Sequence, residues 1–312
     1  LFHTFVENFE RMKRYVILGL LVLVCYFGNG QTQRISPLNR AIEEYLKDKN
    51  TVVGVTVTDT NGNVVGWING NAHFPMQSVF KFHIAMVMLS EIDKGHFALD
   101  QKVEISKKEL LPNTWSPIRD QYPNGTSLTI GELISYTVSL SDNNGCDILL
   151  RLLGGPKTVE DYFKSKGYPN ISIKINEAQM HQGWEPQFQN WITPSESNRI
   201  LYDFFKKDQK FLSASSKDFL LRKMIQTETG MNRLKGKLPE GTVVAHKTGS
   251  SGANSKGVTA AANDIGVVFL PNGNAYLISV FVSQSTENET VNDEIIAQIS
   301  FIAWEYFTKI KE

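Results

Sequence analysis

Segments with strand character lie near both ends of this chain, and a long block with helical character separates them. Near the beginning, residues 51–58 and 64–67 are rich in β-branched residues, and Asn61-Gly62 between them is a strong hairpin signal. Strand character returns in three later segments, residues 242–248, 257–270 and 275–282. Residues 78–235 have mostly helical patterns. This arrangement predicts one antiparallel sheet assembled from the two ends of the chain, with the helical block on one face as a second lobe.

Two amphipathic helices flank these strands. Residues 37–47 have apolar residues at helical spacing, with Pro37 near the start, where the first turn tolerates proline. Residues from about 291 to 310 form the second such pattern. We expect both helices to cover the face of the sheet opposite the helical block. The cleft where the two lobes meet is then the expected place for a small-molecule site.

The composition is that of a globular protein with a substantial core. The chain has 312 residues, of which 41% are hydrophobic, and 32 basic side chains balance 32 acidic ones. These values exclude a disordered, collagen-like or disulfide-rich protein. Because the net charge is zero, the chain as a whole has no electrostatic footprint for nucleic acid or for an anionic membrane surface, and we expect neither partner.

The first thirty residues include the pattern of a secretory signal peptide. Lys13-Arg14 follows Met12, an apolar run covers residues 15–27, and Gly28-Asn29-Gly30 comes next. The apolar run is too short to span a bilayer comfortably, so a cleavable leader over residues 12–30 is favoured over a stable membrane anchor. We therefore predict a periplasmic or secreted protein.

The mature protein is expected to begin near Gln31, and residues 1–11 are interpreted as upstream sequence without structural meaning. Cys25 as a lipid-attachment site is disfavoured because the preceding Val24 is bulky. Removal of the leader leaves Cys146 as the single cysteine, so no internal disulfide can form. No motif surrounds Cys146, and we interpret it as a small buried core residue rather than a nucleophile.

Ser78 and Lys81 are the first candidates for chemistry. If Ser78 lies at a helix start, the Lys81 amine is one turn further on the same face and can approach the serine hydroxyl. A serine hydroxyl is a poor nucleophile until a base removes its proton, and a desolvated lysine near other cations can do this. The pair alone is weak evidence, because such a spacing arises about once by chance in a chain of this length. A capping serine beside an exposed lysine would have the same sequence.

Two further triplets make the pattern specific. Ser141-Asp142-Asn143 follows a helical stretch, and Lys247-Thr248-Gly249 ends a β-branched strand and runs into Ser250. Together with Ser78 and Lys81, in this order, they make the chain resemble the class A β-lactamases, serine enzymes that share a fold with the penicillin-binding DD-peptidases.

Shorter marks extend the resemblance over nearly the whole mature chain. Trp115-Ser116-Pro117 resembles the loop that flanks the site entrance with an aromatic residue. Thr229-Gly230, Arg233-Leu234 and Leu238-Pro239 resemble the segment that leads into the Lys-Thr-Gly strand. Both marks are short, so they support the resemblance and do not establish it.

The resemblance implies an α/β (α+β) fold of the β-lactamase/DD-peptidase type. This fold has a five-stranded antiparallel sheet flanked by helices, plus an all-helical lobe. We expect a catalytic domain over residues 31–312, with the α/β lobe at about 31–75 and 236–312 and the helical lobe at about 76–235.

The resemblance also assigns the catalytic roles. Ser78 would attack the lactam carbonyl and form an acyl-enzyme, with Lys81 beside its hydroxyl. The backbone N–H groups of Ser78 and Ser250 would form the oxyanion hole, in which one donor is typically worth ~3–4 kcal/mol. Ser141 would relay a proton to the departing lactam nitrogen.

The substrate-binding residues implied by the resemblance are Trp115, Asn143, Lys247, Thr248, Gly249 and Ser250. The Thr248 and Ser250 hydroxyls would bind the substrate carboxylate, helped by the charge of Lys247. Asn143 would hydrogen-bond the amide of the acyl side chain and help to position Lys81.

Turnover needs a second base, and two glutamates are candidates. Class A enzymes use a loop glutamate to activate water for deacylation. Glu177 lies 36 residues after Ser141, where the resemblance expects this glutamate, whereas Glu185 belongs to a Glu-Pro dipeptide common in the family loop. We select Glu177. The family asparagine four residues later is His181 here, which is similar to the PER-like and CfxA-like subgroup, and His181 would bond either a loop carbonyl or the hydrolytic water.

The histidines show no metal-ligand spacing, so we expect neither metal nor cofactor. The predicted partner is a small-molecule β-lactam, either a penicillin or a cephalosporin, and the predicted state is a monomer. Two alternatives of the same fold stay open: a DD-peptidase with a long-lived acyl-enzyme, and a non-catalytic β-lactam sensor domain. His83 lies in an apolar helical run and is interpreted as a core residue.

Overall fold

The predicted sheet is formed by strands from both ends of the chain. The computed structural model describes residues 36–206 and 211–309. The strands of the main sheet are β1 (Val52–Asp59), β2 (Val64–Ile68), β8 (Val244–Ser250), β9 (Ala262–Phe269) and β10 (Ala275–Ser283). They lie in the order β2-β1-β10-β9-β8, and all neighbours are antiparallel. The pairing of β1 with β10 joins the two ends of the sequence, from Val52 opposite Ser283 to Asp59 opposite Tyr276. The predicted fold class is confirmed.

The helical block contains short strands that the sequence patterns did not indicate. Within residues 78–235 these strands are β4 (Lys102–Ser106), β5 (Gly125–Thr129), β6 (Ile171–Ser172) and β7 (Trp191–Ile192), and β3 (Phe74–Pro75) lies just before the block. β4 pairs with β5, and β3-β7-β6 form a small sheet. In β4 the buried residues Val103 and Ile105 alternate with exposed ones, but five residues are too few for this period to stand out in a helical region. The block is mostly helical, as its patterns predicted, but these strands depart from the all-helical lobe that the resemblance implied.

Helices account for most of the remaining described chain. They are α1 (Pro37–Leu46), α2 (Phe80–Asp93), α3 (Pro117–Gln121), α4 (Ile130–Ser139), α5 (Asn143–Leu153), α6 (Pro156–Ser165), α7 (Glu177–Met180), α8 (Pro194–Phe205), α9 (Ala214–Ile225) and α10 (Glu289–Lys309). Single turns of 3₁₀ helix occur at Gln77–Val79, Lys107–Glu109 and Pro186–Gln189. Most α-helices begin at a side-chain cap, which satisfies an N–H group left without an intrahelical partner.

The main sheet separates two hydrophobic cores. Alternate residues of β10 point to opposite faces, so Tyr276 and Val280 belong to one core and Leu277 and Phe281 to the other. The first core contains residues of α1 and α10, and the second contains residues of α2, α4, α5 and α8. The two terminal helices therefore cover one face of the sheet and helices of the helical block cover the other, as predicted.

The leader predicted for residues 12–30, and the upstream residues 1–11, lie outside the described part of the chain. In residues 36–206 and 211–309 no helix is long and apolar enough to cross a bilayer. Cys146 lies in the helical core with no exposed surface, and burial raises the pKa of its thiol well above the ordinary value. A thiol in this position cannot reach substrate, which supports the interpretation of Cys146 as a core residue.

Candidate active site

Ser78 lies in the 3₁₀ turn that leads directly into helix α2. The preceding residue, Gln77, has a φ of 46°, in the left-handed region that a residue with a side chain adopts at a cost of about 1–3 kcal/mol. Every residue of helix α2 from Phe80 to Ser90 is buried, so the turn is continuous with a helix that is packed on all sides. Lys81 follows one turn later, and its Nζ donates a hydrogen bond of 2.9 Å to Ser78 Oγ. This contact is the one predicted from the spacing.

Lys81 connects three segments that are remote in sequence. Besides Ser78 Oγ, its Nζ donates to the Ser141 carbonyl oxygen at 2.8 Å and to Asn143 Oδ1, and it lies 2.9 Å from Glu177 Oε1. The lysine side chain has no exposed surface. A buried ammonium is tolerated only with such partners, because its desolvation costs several kcal/mol. The pairing with Glu177 therefore ties the position of that carboxylate to the position of Lys81.

The Ser141-Asp142-Asn143 segment is held in a strained conformation by the carboxylate of Asp142. Ser141 has a φ of 58°, also in the left-handed region. Asp142 is buried, and it accepts hydrogen bonds from Gly145 N and Ile118 N, each at 2.7 Å, and from Ser116 Oγ at 3.0 Å. Burial raises the pKa of Asp142, but these bonds oppose that effect. Asp142 thus caps helix α5 and fixes the backbone from which Ser141 reaches the site.

Lys247 brings a second buried cation to the same place. It lies on β8 with no exposed surface, and its Nζ donates to Ser141 Oγ at 3.0 Å and to the Thr248 carbonyl oxygen at 3.0 Å. Burial, and then the charge of Lys81, lower the pKa of Lys247 well below its ordinary value. Ser141 therefore has Lys81 at its carbonyl and Lys247 at its hydroxyl.

Strand β8 passes so close to the Ser78 turn that only glycine fits at position 249. A Cβ atom at Gly249 would lie 2.5 Å from the Met76 carbonyl oxygen and 3.1 Å from Ser78 N. Asn263 on the neighbouring strand holds the same turn, because its Nδ2 donates to the carbonyl oxygens of Pro75 and Met76 at 2.8 and 3.2 Å. The sheet and the serine turn are therefore in direct contact.

The hydroxyls at the end of β8 are oriented by neighbouring side chains. Arg233 is buried; its Nη2 donates to Ser250 Oγ at 2.7 Å, and its Nε donates to Asp293 at 2.7 Å. Because Arg233 occupies an acceptor position of Ser250 Oγ, the Ser250 hydroxyl hydrogen is free to donate to a ligand. The Thr248 hydroxyl lies 2.6 Å from that of Thr229. This end of the strand therefore presents two hydroxyls beside two cations, which suits a carboxylate.

The loop that carries Glu177 is anchored by Asp147 of helix α5. Helix α7 begins at Glu177, and the Asp147 carboxylate accepts hydrogen bonds from Glu177 N at 2.8 Å and Ala178 N at 3.0 Å. Burial raises the pKa of Asp147 to about 6. His181 Nδ1 donates to the Glu177 carbonyl oxygen at 2.8 Å, so His181 makes the loop-carbonyl contact, one of the two contacts considered for it. Glu177 is buried, whereas Glu185 is exposed and does not line the cavity described below.

Two further side chains close this loop. Asn190 accepts hydrogen bonds from the backbone N–H groups of Lys174 and Ile175 and donates to the Ile175 carbonyl oxygen at 2.8 Å, so it joins the two ends of the loop. Gln77 Nε2 donates to Gln187 Oε1 at 2.7 Å and thereby links the loop to the Ser78 turn. The sequence reasoning did not assign these residues a role.

The predicted residues surround one cavity of about 740 Å³. Its lining includes Ser78, Trp115, Ser141, Asn143, Glu177, Thr248, Gly249 and Ser250. Lys81 and Lys247 lie directly behind it, in contact with Ser78 and Ser141. Trp115 stands at the rim, 60% exposed, with its Nε1 donating to the Leu140 carbonyl oxygen at 2.8 Å. Four remote stretches of chain thus place a hydroxyl pair, two ammonium groups and one carboxylate around a single space.

The sequence reasoning missed three charged residues that hold this arrangement, namely Asp142, Asp147 and Arg233. Arg233 was noted only as part of a short sequence match, and Asp142 only as the middle residue of a triplet, with no role assigned to either. Asp147 lies one turn after Asn143, on the same side of an amphipathic helix, and that spacing was the available signal. To predict the role of Asp147 from that spacing, one would have had to know that the loop with Glu177 packs against this side of helix α5.

Comparisons with known proteins agree with the residues and their geometry. The family model described as Beta-lactamase enzyme family matches residues 37–307. Beta-lactamase VEB-1 of Pseudomonas aeruginosa is 49% identical over 292 residues, which are 94% of this chain and 96% of that protein. Extended-spectrum beta-lactamase PER-1 of the same organism is 41% identical over 296 residues, 94% of this chain and 95% of that protein.

A solved structure gives the same result. The TLA-3 extended-spectrum beta-lactamase aligns with a TM-score of 0.85 and 50% identity, covering 87% of this chain and 98% of that chain. The residues matched by the family model, 37–307, include all four stretches that border the cavity. From these relationships, together with the motifs and the fold, the chain belongs to the class A serine β-lactamases.

Proposed function

We propose that this β-lactamase opens the lactam ring by attack of Ser78 Oγ on the lactam carbonyl carbon. The observation that carries the proposal is the contact chain from Ser78 Oγ to Lys81 Nζ at 2.9 Å and on to Glu177 Oε1 at 2.9 Å. Through this chain the serine proton can leave as the new ester bond forms. The backbone N–H groups of Ser78 and Ser250 hold the negative charge that develops on the carbonyl oxygen.

Collapse of the tetrahedral intermediate breaks the bond between the carbonyl carbon and the lactam nitrogen. In our proposal the Ser141 hydroxyl donates its proton to that nitrogen. Its hydroxyl lies 3.0 Å from Lys247 Nζ, which keeps a positive charge beside the departing group. Ser141 lies close to both lysines, so its proton can be replaced from within the site.

The substrate carboxylate is assigned to the Thr248 and Ser250 hydroxyls. The Arg233 guanidinium can only donate hydrogen bonds, and it donates one to Ser250 Oγ. The Ser250 hydroxyl hydrogen is therefore directed toward the cavity. The positive charges of Lys247 and Arg233 add long-range attraction. Asn143 lines the other side of the cavity, where it contacts Lys81 and is available to the amide of the acyl side chain.

Deacylation is assigned to Glu177. Its carboxylate would take a proton from water, the water oxygen would attack the ester carbon, and Ser78 Oγ would leave with a proton returned by Lys81 or Glu177. Glu177 borders the cavity beside Ser78, and its backbone is tied to Asp147. An acyl-enzyme that lacked this base would persist, which is the behaviour of a peptidase or a sensor.

Three further proposals concern the whole protein. The leader over residues 12–30 would direct export, with residues 31–312 active in the periplasm or outside the cell as a monomer. The division into an α/β lobe at about 31–75 and 236–312 and a helical lobe at about 76–235 is kept as the description of that domain. N-terminal sequencing of the protein exported from a Gram-negative host tests the cleavage site directly.

Intact-mass spectrometry tests the assignment of the two catalytic steps. The purified protein is mixed with benzylpenicillin, and its mass is followed from milliseconds to hours beside Glu177→Gln and Glu185→Gln variants. We expect rapid return to the free mass for the parent and for Glu185→Gln, and a trapped adduct for Glu177→Gln. A trapped adduct with Glu185→Gln alone would overturn the loop assignment, and an adduct on the parent that lasts for hours would overturn the deacylation mechanism.

The nucleophile is tested separately with Ser78→Ala. This variant should keep the circular dichroism spectrum and the thermal transition of the parent, yet form no adduct and hydrolyse no substrate. Lys81 keeps its contacts with Ser141, Asn143 and Glu177 in this variant, so no buried charge is left unpaired. Hydrolysis at the parental rate would eliminate a serine mechanism.

A further inference from the structure

A second cavity adjoins the one that contains Ser78. It has a volume of about 420 Å³ and lies between residues 252–262 and residues 286–292, the second of which includes the start of helix α10. Ser250 and Glu289 line both cavities. The two cavities therefore adjoin at Ser250 and Glu289, so a ligand group attached next to one that is held at Ser250 lies beside the second cavity.

Glu289, at the junction of the two cavities, is a carboxylate without a paired cation in the described part of the chain. Arg233 is the basic residue in the lining, and its charge is already paired with Asp293 at 2.7 Å. Glu287 also lines the second cavity, and its carboxylate accepts a hydrogen bond from Asn50 N at 2.9 Å. Glu289 is exposed, and within residues 36–206 and 211–309 it has no ion-pair partner within 4.0 Å. The charge of Glu289 is therefore available to attract a cationic ligand group that extends past Ser250.

Substrate chemistry determines which group reaches this junction. In a cephalosporin, the carbon that carries the carboxylate is bonded directly to C3, the carbon that carries the variable substituent. With the carboxylate at Thr248 and Ser250, as in the proposed function on which this step rests, the C3 substituent lies next to Ser250. Penicillins have only two methyl groups on the corresponding side of the ring and cannot extend so far.

We propose that the second cavity is a subsite for the C3 substituent of cephalosporins, and that Glu289 makes it selective for cationic substituents. The space accommodates a monocyclic cation such as pyridinium. Because Glu289 is exposed, its attraction is screened by salt, and the selectivity decreases as the ionic strength rises. The effect belongs to binding and appears in kcat/KM.

Two cephalosporins with the same thienylacetyl side chain provide the test. Cephaloridine carries a pyridiniomethyl group at C3, whereas cephalothin carries a neutral acetoxymethyl group. The quantity measured is the ratio of kcat/KM for cephaloridine to that for cephalothin, in the parent, in Glu289→Gln and in Glu289→Lys. We expect the ratio to fall about fourfold in Glu289→Gln and at least tenfold in Glu289→Lys. For the parent, it should fall at least twofold between 0.02 and 0.5 M NaCl.

Glu305→Gln is the matched control, because Glu305 lies on the same helix, is paired with Lys309 and lines neither cavity. It changes the net charge by the same amount and should leave the ratio within 1.5-fold. A ratio in Glu289→Gln that also stays within 1.5-fold, or a salt-independent ratio in the parent, would overturn the subsite. Failure of the parent to hydrolyse benzylpenicillin as well would instead contradict the proposed function.

Discussion

The buried imidazole of His83 makes the stability of this protein depend on pH in a predictable way. His83 lies in helix α2, two residues after Lys81, with no exposed surface, and its ring meets Phe82 and Phe163 edge-on at 5.3 and 5.1 Å. In the described part of the chain neither ring nitrogen makes a hydrogen bond of ordinary geometry. Burial lowers the pKa of His83 to about 3, because the imidazolium would lose its hydration, and the backbone of Val79 offsets only part of this effect.

The sign and size of the effect follow from proton linkage. An unfolded chain has a histidine pKa of about 6.5, so between pH 6.5 and 3 the unfolded state binds more protons than the folded state. The free energy of unfolding therefore falls as the pH falls. The loss from His83 alone is about 2 kcal/mol between pH 7 and pH 5 and about 3 kcal/mol by pH 4.

The substitution His83→Met removes the titrating group while keeping a similar volume in the core. Urea unfolding followed by tryptophan fluorescence at pH 7, 6 and 5 gives the free energy of unfolding for parent and variant. Other groups titrate in both proteins, so their contributions cancel in the difference. We expect the decline from pH 7 to pH 5 to be about 2 kcal/mol smaller in His83→Met.

The control is His96→Gln, since His96 is exposed and paired with Glu91. This change should not reduce the decline. Equal declines in the parent and in His83→Met would refute the argument, because they would mean that His83 titrates normally in the folded state or finds a partner for its proton.

Three further outcomes are expected. Gly249→Ala places a Cβ against the backbone that carries Ser78, so kcat/KM for benzylpenicillin should fall at least ~100-fold in steady-state assays; a loss below threefold would show that the strand can move away. Arg233→Lys removes the guanidinium that donates to Ser250 Oγ. Loss of this charged hydrogen bond should raise KM about tenfold with a smaller change in kcat. An unchanged KM would contradict this role of Arg233. Burial raises the pKa of the Asp147 carboxyl to about 6, and protonation weakens the two hydrogen bonds that it accepts from the backbone, so kcat should decline below pH 6 in the parent. This acidic decline should be absent from the pH–rate profile of Asp147→Asn. A decline that persists in the variant would belong to another group.

The local patterns were sufficient for the main elements. Helix α1 and the strand pair β1 and β2 lie within one or two residues of the predicted segments, because periodicity, Pro37 and Asn61-Gly62 are local signals. The predicted strand 257–270 begins only at Ala262, although Thr259 still pairs with Ser285 in an isolated antiparallel bridge. Small strands in the helical block were missed because two to five residues give no usable period.

What the amino-acid sequence alone determined was the set of reactive groups: a serine and a lysine one helical turn apart, two triplets in a fixed order, and a glutamate at the expected distance. These groups are recognised by residue type and by short spacings, which are visible in the linear sequence. Only the tertiary structure showed that Glu177 lines the cavity and Glu185 does not, which partners Arg233 and Asp147 have, and that a second cavity lies beside Glu289. The physical reason is that burial and charge pairing depend on which remote segments pack together, and sheet pairing across more than two hundred residues of sequence sets that packing.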